Sequence, residues 1–134
     1  MAYEDKYRLS SHAVIVNNKN EVLLLRANYG NNSWGLPGGA LDIGETIQEA
    51  LVRECQEEMS LDIEVEYLSG VYYHSAHESQ AFIFKCKLKE KGRIVLSNEH
   101  TEYAYIPISD LSSIQAQRVK DCLNFDGVVK IAKF

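Results

Sequence analysis

Proline is almost absent from this chain of 134 residues, with only Pro37 and Pro107 present, and no Pro/Ser-rich linker, internal repeat or low-complexity tract occurs. Cysteine is scarce too: Cys55, Cys86 and Cys122 are odd in number and far apart, which suggests neither a disulfide framework nor a CxxC metal site, and reduced, partly buried thiols are expected. No apolar run approaches the roughly 20 residues that cross a bilayer, and the opening MAYEDKYRLS has no apolar signal segment. The expectation is a cytoplasmic protein without a membrane segment. Basic residues are outnumbered, 14 Lys and Arg against 19 Asp and Glu for a formal charge of −5, and they are dispersed. That balance argues against a nucleic-acid partner, because phosphate-backbone binding draws on clustered cations. His12, His74, His77 and His100 lack zinc-motif spacing, and the pair His74 and His77 is expected to face solvent or substrate.

What is present is one domain's worth of alternating elements over residues 1–134. Residues 9–16 and 21–26 read as strands joined by the turn Asn17-Asn18-Lys19-Asn20, and 27–39 as a loop punctuated by Gly30, Gly35, Pro37, Gly38 and Gly39. Further strands are expected at 63–74, 81–88, 93–97 and 103–106, and a second helix from about Asp110 through Ile114, Val119 and Leu123. The pattern specifies an α/β or α+β fold.

Between the loop and the third strand stands a helix signature. Thr46 followed by Glu49 is a capping box, and the segment after it lacks Gly and Pro, so a helix is expected from Thr46 to Met59 or Ser60. At about 100° per residue, Ile47, Ala50, Leu51 and Cys55 form its apolar stripe, while Glu54, Glu57 and Glu58 are mutual neighbours on its flank. Glu54 and Glu58 fall inside the angular range of the stripe, where an ordinary amphipathic helix places no carboxylate. Like charges at these spacings cost about 0.2–0.5 kcal/mol per pair, and they sit at the end of the helix whose dipole disfavours anions. Mg²⁺ or Mn²⁺, which prefer hard oxygen ligands, would turn that repulsion into binding. A solvated acidic face is the alternative.

The full spacing decides between them. Gly39, five residues, Glu45, seven residues and Arg53-Glu54-Cys55-Gln56-Glu57-Glu58-Met59-Ser60-Leu61 resembles the box of the Nudix hydrolase (MutT-like) family, G-x5-E-x7-R-E-U-x-E-E-x-G-U with U a bulky apolar residue. Six of its seven fixed Gly, Glu and Arg positions match here, and at typical usage a chance match is on the order of 10⁻⁷ per starting point. Cys55 fills an apolar position, and Ser60 stands where the box has Gly. A residue with a Cβ pays about 1–2 kcal/mol to turn left-handed at a helix end. A different helix end is therefore expected, which leaves the exact placing of Glu58 open and removes no ligand. Outside the box, Trp34-Gly35-Leu36-Pro37-Gly38-Gly39 resembles the family's W-x-x-P-G-G, and residues 99–107, EHTEYAYIP, its E-x-x-E-x-x-W-x-P, with Tyr105 in place of Trp.

The resemblance implies a mixed sheet sandwiched between helices, with the box as a loop-helix-loop motif. It implies that Glu54, Glu57 and Glu58, the Gly38 carbonyl and Glu99 hold the metal, and that Glu54, or else Glu99, accepts the proton of an attacking water. Arg53, placed in the catalytic set with Glu54 and Glu99, cannot act as a base at neutral pH; a bidentate pairing that fixes a glutamate is its expected role, with Glu45 supporting the loop. The implied reaction is metal-dependent hydrolysis of a diphosphate linkage in a nucleoside triphosphate or other small nucleoside diphosphate derivative. Family markers for ADP-ribose and dinucleoside polyphosphates are missing from the region of Ala76-His77-Glu78-Ser79. Tyr29, Trp34, Tyr72 and Tyr73 offer faces for stacking on a base or for packing. The abundance of Tyr is compatible with a homodimer interface. A nucleotide-binding module on the same fold and an RNA 5′-end pyrophosphohydrolase are the alternatives.

Overall fold

The structure, a computed structural model, describes residues 2–89 and 92–134. Among the described residues the chain order is β1 (Arg8–Val14), β2 (Val22–Ala27), β3 (Trp34–Gly35), β4 (Gly38–Ala40), α1 (Ile47–Met59), β5 (Ile63–His74), β6 (Ser79–Leu88), β7 (His100–Ile106), α2 (Ser113–Leu123) and β8 (Lys130–Lys133). A mixed five-stranded sheet runs β4-β1-β6-β5-β8, with β1 parallel to β6 and β8 parallel to β5, and an antiparallel three-stranded sheet runs β3-β2-β7. No helix of the described residues is long and apolar enough to cross a membrane.

Strand alternation explains the layering. On β1 and β2, Ala13, Leu23 and Leu25 turn to one face and join Leu51, Cys55 and Met59 of α1. Val14, Val22 and Leu24 turn to the other and join Val119 and Cys122 of α2. β2 is therefore apolar on both faces, and each helix covers its own side. By the same alternation Ser11 faces α1, where its hydroxyl donates to the Ile47 carbonyl at 2.7 Å, whereas His12 on β1 and His74 on β5 share the α2 side with Val14 and Tyr72.

Several expectations need correction. Residues 93–97 form no strand; the Val95 and Ser97 amides donate instead to the Met59 and Glu58 carbonyls at 3.0 and 3.1 Å, satisfying the end of α1. The glycine-rich stretch 27–39 contains β3 and the start of β4, which pair with β2 and β1. β8 was not anticipated. The second helix starts later than expected, after a single turn at Ile108–Asp110, with Ser112 as its N-cap. Ile114 is exposed, whereas Arg118 is buried with Val119 and Cys122.

α1 has the expected capping box, with both Thr46 and Glu49 bonds made. Its end departs from expectation: Ser60 takes the left-handed conformation at φ 58° in spite of its Cβ, its amide donating to the Gln56 carbonyl and its hydroxyl to Val95 at 3.2 Å. The helix ends as it would with glycine, and Glu58 keeps its place.

Candidate active site

The site begins where glycine lets two backbones and a carboxylate approach. Gly38 has φ 138°, and a Cβ there would overlap the Ser11 carbonyl of β1. At Gly39 a Cβ would sit 2.6 Å from the Glu54 carboxyl carbon, so the missing side chain makes the room that Glu54 occupies.

α1 supplies the acids. Glu58 is only 5% exposed; its Oε1 accepts the Gly38 amide at 2.8 Å, and its Oε2 lies 3.4 Å from Nε2 of His100. Burial pushes its carboxyl up to about 8 against the pull of the Gly38 amide, and the charges of Glu54, Glu99 and Glu57 push it further. Burial also raises Glu54, opposed by its hydrogen bond from Arg53, with Glu57 and Glu99 again raising it. Glu99 is thus brought to the α1 acids although it lies 41 residues beyond Glu58 in the chain. The turn that carries it is pinned to the end of β2, with the Asn28 amide donating to the Glu99 carbonyl at 2.9 Å and the Asn28 side chain to the Asn98 carbonyl.

Arg53 organises this end. Its Nε and Nη2 donate to the two oxygens of Glu45 at 2.6 and 2.9 Å, Nη2 also reaches the Ala40 carbonyl at 3.1 Å, and Nη1 bridges Glu54 at 3.0 Å and Glu57 at 3.3 Å. Glu45 in turn accepts the Asp42 amide at 2.8 Å. Helix, loop and β4 are thereby locked into one frame.

As placed, no three His, Cys, Asp or Glu side chains among the described residues converge to grip an ion, because Glu54 and Glu57 are held by Arg53 and Glu58 by Gly38. The donor set nevertheless fits a hard divalent cation. It consists of oxygens, and burial, with the neighbouring glutamates adding to it, raises Glu54 and Glu58 where a cation would lower them.

A cleft of about 640 Å³ opens beside these acids, lined at one end by Gly38, Gly39 and Glu58 and at the other by Arg8, His74 and Arg118. Tyr29 lines it and is exposed; Trp34 lies in a different depression. Tyr72 is wholly buried, stacked on Phe134 with its hydroxyl on Asp121 at 2.8 Å, so its role is packing. Sequence reasoning missed His12, His100 and Arg118 as cleft residues. For Arg118 a signal existed, since it stands four residues before Cys122 on the inward side of a helix.

The NUDIX domain model matches residues 6–123. A MutT-like protein of Streptomyces ambofaciens is 30% identical over 125 residues, spanning 90% of this chain and 80% of that one. An RNA pyrophosphohydrolase of Edwardsiella ictaluri is 43% identical over 61 residues, 46% of this chain and only 34% of that protein's length. The solved ADP-ribose pyrophosphatase of Streptococcus suis superposes with a TM-score of 0.76 over 96% of this chain and all 100% of that one, at 21% identity, a likeness of fold.

Proposed function

The chain belongs to the NUDIX domain family, and from that premise we propose a metal-dependent pyrophosphohydrolase that cleaves a diphosphate linkage in a nucleoside triphosphate or another nucleoside diphosphate derivative by attack of water at phosphorus. The observation that supports the reading is that Glu58 lines, with Gly38 and Gly39, a cleft large enough for a nucleotide, while Glu54, Glu99 and Glu57 lie close enough to act on its carboxyl.

Glu54, Glu57, Glu58 and Glu99, with the Gly38 carbonyl, would hold Mg²⁺ or Mn²⁺. When bound, that ion supplies the positive charge that offsets the diphosphate oxygens and the charge developing as the P–O bond breaks. Glu54, confined between Gly39 and Arg53, accepts the proton of the attacking water, with Glu99 as the second candidate. Arg53 holds Glu54 and Glu57 in place through its own anchorage on Glu45 and Ala40. Residues 1–134 act as a single domain on a small-molecule substrate in the cytoplasm.

The test is phosphate-coupled hydrolysis of nucleoside triphosphates, nucleoside diphosphate sugars, ADP-ribose, dinucleoside polyphosphates and 5′-triphosphorylated RNA, with Mg²⁺ or Mn²⁺. Turnover of a small nucleotide, abolished by chelator and lowered more than roughly 100-fold by Glu57→Gln, is expected. Binding without turnover across the panel would replace the enzyme with a nucleotide-binding module, and a preference for the RNA would favour the reading that similarity to the Edwardsiella protein suggests.

A further inference from the structure

The cleft wall away from the glutamates holds a cation without an anion. Arg118 of α2 is 8% exposed and lines the cleft. Its Nη1 meets Nε2 of His74 at 3.0 Å and its Nη2 donates to the Gln115 side-chain oxygen at 2.6 Å, while its Nε is buried with no partner. Burial lowers the guanidinium only to about 10, so it is charged at neutral pH. Burial and Arg118 itself lower His74, which leaves a neutral imidazole as its partner. His12, half-buried on the same face and lining the cleft, is lowered to about 3, first by burial and then by Arg118, and is neutral as well. Among the described residues, then, the groups hydrogen-bonded to Arg118 are uncharged. A buried charge without a counter-charge is costly, and an N–H without an acceptor adds to that cost.

We propose that this wall is an oxyanion subsite, in which Arg118, aimed by His74 and Gln115, receives a phosphoryl group of the substrate that lies outside the linkage being cut. The inference rests on the hydrolase reading for its consequence, a preference for substrates with a phosphoryl group beyond the cleaved pair over those whose only charge is the diphosphate. A neutral base edge would supply acceptors but leave the charge uncompensated, which is why an anion is favoured.

The subsite can be tested without turnover. The full chain, labelled at arginine Nε and kept in EDTA, is titrated with inorganic phosphate and with pyrophosphate. The Arg118 Nε–H resonance should shift saturably, with the same midpoint in Glu57→Gln, and Arg118→Gln should weaken the binding at least about tenfold. Arg118→Lys, which keeps the charge but loses the fork, should fall between, and it serves with the wild-type titration if Arg118→Gln does not fold. In turnover, Arg118→Gln should raise KM about tenfold or more for a nucleoside triphosphate and leave KM for a nucleoside diphosphate sugar unchanged. Absence of a saturable shift, equal affinity in Arg118→Gln, or a shift produced by guanosine alone would each overturn the proposal. Phosphate binding at Arg118 in a protein that hydrolyses nothing would leave the subsite standing and remove the enzyme. Hydrolysis in a protein whose Arg118 ignores phosphate would do the reverse.

Discussion

The two helices each turn charge towards the interior, and the two charges are answered differently. α1 brings several carboxylates together, and they are met by one guanidinium, one backbone amide and the gap left by Gly39. α2 brings a single arginine, and it is met only by a neutral imidazole and an amide oxygen. Crowded like charges are relieved by a cation and a lone cation by an anion. Under the proposed function, the two ends of the cleft would complement a molecule that carries a metal-bound diphosphate at one end and further negative charge at the other.

The comparison can be broken most forcefully at the acidic end. Gly39→Ala should displace the Glu54 carboxylate and lower kcat roughly 100-fold or more with the fold retained, whereas Gly38→Ala should destabilise the protein itself, because its added Cβ meets backbone. Paired kinetics and thermal unfolding separate the two effects. If Gly39→Ala is fully active, the packing of Glu54 on that glycine has no role in catalysis.

Next in size is the response to pH without metal. Glu58 is held near 8, above its ordinary value, so the folded state binds more protons and the protein should lose stability as pH rises from 4.5 through 8. His12 is held near 3, below its ordinary 6.5, so stability should also fall as pH drops from 6.5 towards 3. Between 6.5 and 8 only the Glu58 effect remains of the two, with a slope of up to about 1.4 kcal/mol per pH unit. Urea titrations in EDTA should show that slope, and Mg²⁺ or Glu58→Gln should remove it. A slope that survives both would assign it elsewhere.

A smaller effect sharpens the contrast between fork and point charge. Arg53→Lys cannot grip both oxygens of Glu45 while bridging Glu54 and Glu57, and kcat should fall roughly tenfold with KM little changed. Smallest of all, Ser60→Gly should stabilise the protein by about 0.5–1 kcal/mol by relieving the left-handed turn, without altering kinetics. Calorimetry of that variant measures the cost of the serine.

The legible parts of the molecule were those whose signal is local. The capping box of α1, its length and the acid spacing depend on neighbours within a few residues, and the structure has them as expected. β3 and β4 were hidden because Gly35, Gly38 and Gly39 carry no side-chain pattern; their pairing is set by β2 and β1. Residues 93–97 carry an apolar, strand-like pattern, and Ile94 and Leu96 do pack on the core under α1, but their amides found a helix end instead of a ladder. Sequence pattern reports burial better than it reports hydrogen-bond partners. β8 is an edge strand whose Ile131 is exposed, so it offered no alternation to read. Arg118 belongs to no motif, and its meaning depends on His74, 44 residues away.

The bonds from Val95 and Ser97 to the end of α1 have a mechanical consequence. The chain leading to Glu99 is hinged on the same helix turn that bears Glu58, and Asn28 ties the Glu99 turn to β2. Glu58 and the turn that bears Glu99 are thereby coupled through main-chain bonds, so a shift at the end of α1 is passed directly to Glu99. Among the described residues no such main-chain tie is made from α2 to these acids, so the register of Glu99 with Glu58 is set independently of Arg118.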